Sequence, residues 1–120
     1  MQHNSNDPAC LWDMLDAALA VQRFVEGKSV QDYLGDRMLR GAVERHVEII
    51  GEASSKVSQV FRDSHPEVPW KRIVAQRNVL AHNYGEIKHE LMWKVATQRI
   101  PELIVSLQPM LPVLPTDRET

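Results

Sequence analysis

Arg77, His82 and Tyr84 stand close together in the stretch RNVLAHNY, within a chain otherwise rich in aliphatic helix-formers. They offer a guanidinium fork that grips phosphoryl oxygens, an imidazole that moves protons near neutral pH, and a phenol that stacks on a base or accepts a covalent group. Such a set suits scission of a ribose phosphodiester without metal. A base removes the proton of the 2′-hydroxyl, which attacks its own phosphorus, and the guanidinium meets the charge that builds on the phosphoryl oxygens.

The spacing sets conditions on this chemistry. At about 100° per residue, Arg77 and Tyr84 share one face of a regular helix, while His82 lies roughly 140° around from Arg77. Convergence therefore requires the helix to loosen after Ala81, which Asn83 and Gly85 permit. One imidazole also falls short of the two proton-handling groups wanted. A second copy of His82 across a dimer axis would supply the other. Taken alone, Arg-x4-His-x-Tyr is common by chance and more readily describes a polar helix end.

The elements that must position these residues read as helices throughout. Asp7-Pro8 is a helix start, with Asp7 as N-cap and Pro8 at the first helical position. Leu11, Leu15, Ala18, Leu19, Gln22 and Val25 follow helical spacing, and Gly27 supplies a left-handed stop. Ser29 with Asp32 forms a capping box opening a short turn through Leu34. The longest stripe runs through Leu39, Val43, His46, Ile50, Ala53, Val57 and Val60, widened by Met38, Ala42 and Ile49. It reads as a seam packed against other helices or across a subunit interface. His65-Pro66-Glu67-Val68-Pro69 interrupts it, and Pro69 or Trp70 starts the next helix, with Ile73, Val74, Leu80 and Ala81. Ile87, Leu91, Val95 and Gln98 continue a helical face, and Pro101 kinks that helix or begins another. No segment alternates with period two. The expected fold is all-α: one domain over residues 1–120, an antiparallel bundle of four to five helices, with tails at 1–6 and 109–120.

Composition agrees. The chain is 43% apolar and 25% charged, as ordinary soluble globular proteins are. Cys10 is the only cysteine, which leaves no intrachain disulfide or thiolate metal site and fits a reducing compartment. No apolar run approaches the roughly 18 residues that span a bilayer, and MQHNSNDPAC lacks the order of a signal peptide, so a cytoplasmic protein without membrane contact is expected. The net charge of −2 predicts no general grip on nucleic acid. Locally the balance reverses: Lys71, Arg72, Arg77, Lys88, Lys94 and Arg99 face only Glu86 and Glu90 between Trp70 and Arg99.

Other polar residues read mainly as structure. Glu44, Glu48 and Glu52 fall at four-residue steps, the pattern of a solvated helix face. Glu52 is the exception, a candidate for orienting Arg77. Gly51 lets another helix approach. His46 packs in the stripe, His65 and His89 have no partners at ligand spacing, and no metal site or cofactor is expected. Trp70 and Trp93 serve as packing anchors, and Cys10 as a small buried residue.

VERHVEIIGEA (43–53), PEVPWKRIVAQRNVLAHNYGEIKHELMWKV (66–95) and RIPEL (99–103) resemble the HepT-like branch of the HEPN superfamily, as does LDAALAVQRFVEGKSVQDYLGD (15–36). The resemblance implies an all-α homodimer acting as the ribonuclease toxin of a toxin–antitoxin pair. Its Arg-x4-6-His-x-Tyr signature falls on Arg77, His82 and Tyr84. Its usual partner is a minimal nucleotidyltransferase antitoxin that transfers AMP to the motif tyrosine, here Tyr84. The implied substrate is tRNA or mRNA, with a 2′,3′-cyclic phosphate product. Arg77 and His82 would be catalytic, Tyr84 substrate contact and AMP acceptor, Glu52 and Asn83 supporting. The alternative is a non-catalytic helical scaffold or substrate-presenting partner of a nucleotidyltransferase, which the mild acidity favours.

Overall fold

The computed structural model of the chain describes residues 6–81 and 88–111, with side chains for 6–75 and 88–111. Seven α-helices occur among them: α1 Asp7–Val25, α2 Val30–Leu34, α3 Arg37–Ser55, α4 Gln59–Ser64, α5 Trp70–Ala81, α6 His89–Lys94 and α7 Ile100–Leu107. A π turn, Val95–Arg99, joins α6 to α7, and a 3-10 turn, Gln108–Met110, follows. There is no strand among the described residues, and the fold is all-α. No helix among them is long and apolar enough to cross a membrane.

The four longest helices, α1, α3, α5 and α7, carry the architecture. α1 packs on α3 and α7, α3 on α5, and α2 bridges α3 and α6. The start of α1 meets the chain just past the end of α3, through Asp7 and Ser58, while Phe24 near its other end meets His46 with ring centroids 5.0 Å apart. These two helices therefore run antiparallel. Between them lies a core in which Met14, Ala18, Val21, Tyr33, Val43 and Leu107 are wholly enclosed. Each large apolar side chain of this kind contributes about 1.5–3 kcal/mol through burial.

Local signals in the sequence explain most boundaries. α1 ends where Glu26 turns extended, and Gly27 supplies the positive φ (+76°) of the turn in which the Lys28 amide donates to the Val25 carbonyl. Ser29 and Asp32 cap α2 reciprocally, and the Ser29 amide holds the Asp32 carboxyl below the usual carboxylate range. α3 opens on Asp36, whose side chain accepts from the Leu39 amide at 3.0 Å.

Several expectations are corrected. Asp7 does not cap its own helix. Asn6 occupies that position without a side-chain bond, and Asp7 lies within the first turn, 7% exposed. Its carboxylate accepts from the Ser58 amide (2.8 Å) and the Ser58 hydroxyl (2.6 Å). Ser58 in turn caps α4, accepting from the Phe61 amide. Hydrogen bonds to a charged group contribute about 1.5–3 kcal/mol each, so this long-range link outweighs the local cap it displaces.

The stripe expected to reach Val60 ends earlier, because α3 stops at Ser55. Arg62 returns from α4 to donate to the carbonyls of Ser54, Ser55 and Val57, satisfying the open end of α3. Val57 stays buried but Val60 is 70% exposed, and Met38 at the other end is 86% exposed.

The face through Leu91 is also corrected. Leu91 is exposed, whereas Met92, Val95, Ala96 and Ile100 turn inward. Pro101 explains the π turn beside them. Its ring has no N–H and crowds the carbonyl four residues back. The chain widens upstream, the Ile100 amide bonding the Val95 carbonyl five residues away, and α7 begins with Pro101 in its first turn. Of the expected tails, residues 1–5 and 112–120 lie outside the described residues, while Leu111 is buried.

Candidate active site

The helix that carries the motif is launched from a clamped turn. Trp70, 7% exposed, donates its indole N–H to the His65 carbonyl at 3.0 Å, and the Trp70 amide bonds the Val68 carbonyl at 2.9 Å. Phe61 lies against both His65 and Trp70, with centroids 4.4 and 6.3 Å apart. His65 Nδ1 sits 3.0 Å from Glu67 Oε2, and this hydrogen bond holds the Glu67 carboxyl below the usual range. Pro66 and Pro69 restrict the backbone between these contacts. Trp70 is thus the packing anchor expected of it.

α5 then runs to Ala81. Arg77 lies in this helix, and its side chain falls outside the description. It follows Trp70 by seven residues and Ile73 by four along α5, a helix that packs on α3. His82, Asn83 and Tyr84 lie outside the described residues, as do Gly85 and Ile87. The loosening expected after Ala81 falls there too.

Past the motif the chain is held again. α6 begins at His89, whose Nδ1 is 3.6 Å from Glu44 Oε2 on α3. Trp93 is tilted against Tyr33 with centroids 5.3 Å apart. Segment 82–87 is therefore bracketed by two anchored helices. Glu44 and His89, read as solvated face and unpartnered histidine, meet here across 45 residues of sequence, which no local spacing announces.

Tyr33 is fully enclosed, and its hydroxyl has no hydrogen-bond partner among the described residues. Burial, and then the Glu44 carboxylate, push its phenol far above the ordinary tyrosine value. A hydroxyl buried unpaired costs about 1–3 kcal/mol. Tyr33→Phe is therefore expected to leave the melting temperature unchanged or raise it by a few degrees; a clear fall in calorimetry would mean that the hydroxyl is bonded in solution.

The remaining candidates separate. Glu48 pairs with Arg45 at 3.1 Å and Glu52 is exposed, so the three glutamates do not work as a row. Any link from Glu52 to Arg77 lies outside the described side chains. Gly51 is buried in α3. His46 is half-buried, its Nδ1 2.8 Å from the Ala42 carbonyl, in keeping with a packing role. Cys10 is buried, and desolvation, followed by Asp13, raises its thiol pKa. No group of metal-ligating residues occurs among the described ones.

Comparison with known proteins decides the family. Residues 14–110 match the family described as "Ribonuclease HepT-like". The chain belongs to the HepT-like ribonuclease family. The match extends from within α1 past α7, across both flanks of the motif. Among curated relatives, the Methanocaldococcus jannaschii protein named "Putative RNase MJ1380" is 39% identical over 95 residues, covering 79% of this chain and 87% of the relative. A Thermococcus cleftensis protein named "Probable ribonuclease HepT" is 34% identical over 93 residues, covering 78% and 84%. A Caldanaerobacter subterraneus protein, "Putative RNase TTE0752", is 39% identical over 79 residues, covering 66% and 70%. No solved structure matches.

Proposed function

We propose that this HepT-like chain is a metal-independent endoribonuclease. The observation that carries the reading is the coincidence of a family match over residues 14–110 with an Arg77, His82 and Tyr84 set able to perform the reaction. His82 takes the proton of the ribose 2′-hydroxyl, O2′ bonds to phosphorus, and the P–O5′ bond breaks. The departing O5′ receives a proton from a second His82 in a homodimer, leaving a 2′,3′-cyclic phosphate. Arg77 bonds the phosphoryl oxygens as charge accumulates. Asn83 gives the backbone freedom beside His82, and Glu52 steadies Arg77.

The biological setting that fits is a cytoplasmic toxin–antitoxin pair acting on tRNA or mRNA. A nucleotidyltransferase antitoxin would join AMP to the Tyr84 oxygen and release pyrophosphate from ATP. The added phosphate would pair with Arg77 and fill the space a substrate phosphate needs.

Purified protein incubated with total RNA in EDTA is expected to cut it, leaving ends that carry cyclic phosphate. Intact RNA under varied salt and pH favours the second reading, a scaffold for the transferase, which the net charge of −2 supports. Co-expression with a partner transferase is expected to add an adenylyl mass that Tyr84→Phe eliminates. Labelling that survives this substitution refutes the acceptor assignment.

A further inference from the structure

The fold gathers part of the cationic excess between Trp70 and Arg99 into one concavity. A groove of about 400 Å³ between α5 and the α6–π segment is lined by Arg72, Lys94, Gln98 and Arg99, with Leu91 and Val95 as apolar lining. Arg72 and Arg99 also line an adjoining cleft of about 300 Å³. That cleft has aliphatic walls in Val47, Ile50, Ile73 and Leu103, and it includes the carboxylates Glu67 and Glu102.

Three other arginines are committed to structure. Arg62 holds the end of α3, Arg40 donates to the carbonyls of Tyr33 and Leu34, and Arg45 pairs with Glu48. Arg72, Lys94 and Arg99 are exposed and make no hydrogen bond or ion pair with other described residues. Three cations without an ion-pair partner among the described residues share this groove of a mildly acidic chain and focus a positive field. They do so beside the helix that carries Arg77, about 7.5 Å further along its axis than Arg72.

We propose that this groove is the track for the phosphate backbone of a single RNA strand, and that one unpaired base turns over the Arg72–Arg99 wall into the adjoining cleft. The inference rests on the nuclease reading and names how its substrate is held. Charge sorts the two parts of a nucleotide. Phosphates are drawn to the groove and repelled from the cleft by Glu67 and Glu102, whereas a base presents a hydrophobic body to the apolar walls and N–H donors to the two carboxylates. A duplex keeps its bases stacked inside and cannot fill the cleft, so unpaired RNA is preferred.

The test measures binding of a single-stranded RNA oligonucleotide across a salt series, with His82→Ala in every protein to keep the RNA intact. Three phosphate contacts on a single strand correspond to a salt slope of about −2. The triple variant Arg72→Gln, Lys94→Gln, Arg99→Gln is expected to bind more weakly, with a slope shallower by about 2. Between about 50 and about 200 mM salt, the parent would then lose roughly twentyfold more affinity than the variant. Ser106→Trp, which fills the cleft, is expected to weaken single-strand binding without changing the slope. In proteins with His82 intact, the triple variant should cut a long RNA with a higher KM. Unchanged affinity and slope in the triple variant overturn the proposal, as does loss of transferase binding while RNA binding persists. A parent that cuts no RNA but whose binding depends on these three cations overturns the nuclease reading and leaves the groove assignment standing.

Discussion

Replacing His82 with alanine is expected to lower RNA cleavage by about a hundredfold to ten-thousandfold, the range over which a positioned acid–base group contributes. The loss should appear in kcat, because proton transfer belongs to the chemical step and His82 adds little to holding a polyanion. RNA affinity in the same variant should stay near that of the parent, set by cations such as Arg72, Lys94 and Arg99. Cleavage within a few-fold of the parent, in protein freed of co-purifying nuclease, removes the imidazole from the mechanism. If each cleft draws on two copies of His82, mixed dimers holding one variant subunit should be impaired well beyond half.

The largest expected loss of stability comes from Trp70→Ala. The indole is 7% exposed, bonds the His65 carbonyl and lies beside Phe61. Truncating a buried tryptophan costs about 3–5 kcal/mol through lost burial and the cavity left behind. The vacated His65 carbonyl adds to the cost if water does not reach it. For a domain of this size the melting temperature should fall by about 15 °C. A thermal melt followed by circular dichroism measures it directly, and a shift below about 4 °C would show that the clamp before α5 does not rely on this ring. Trp70→Phe, which keeps most of the packing and loses the N–H donor, should fall between parent and alanine variant.

Much of the fold was legible in sequence because it rests on local rules. Glu26 and Gly27 turn the chain out of α1, Ser29 and Asp32 box α2, and the prolines around His65 separate α4 from α5. Each depends on residues within a turn of one another. Expectations failed where a distant partner overruled a local rule. Asp7 has the type and position of a cap but is taken by Ser58, 51 residues later. Val60 continues a helical stripe that Arg62 has already closed off. Leu91 and Met92 are equally apolar, and the phase between them depends on the π turn that Pro101 imposes downstream.

At the site, the motif residues were identifiable by type and spacing and by family resemblance, and the fold places Arg77 on a helix anchored to α3. The cationic bias was visible as a count, but a count carries no direction. Only the packing of α5 beside the π turn brings Arg72 to Lys94 and Arg99. The Glu44–His89 contact joins α3 to α6 and was hidden for the same reason.

The packing of α1 against α7 bears on how such a molecule comes into being on the ribosome. α1 cannot bury its full apolar face until α7 has emerged, since Met14 and Leu107 share one enclosed core. A nascent chain lacking residues 100–107 is expected to remain open to protease, and with it the platform for Arg77. The platform that carries Arg77 therefore takes shape only once residues 100–107 have left the ribosome.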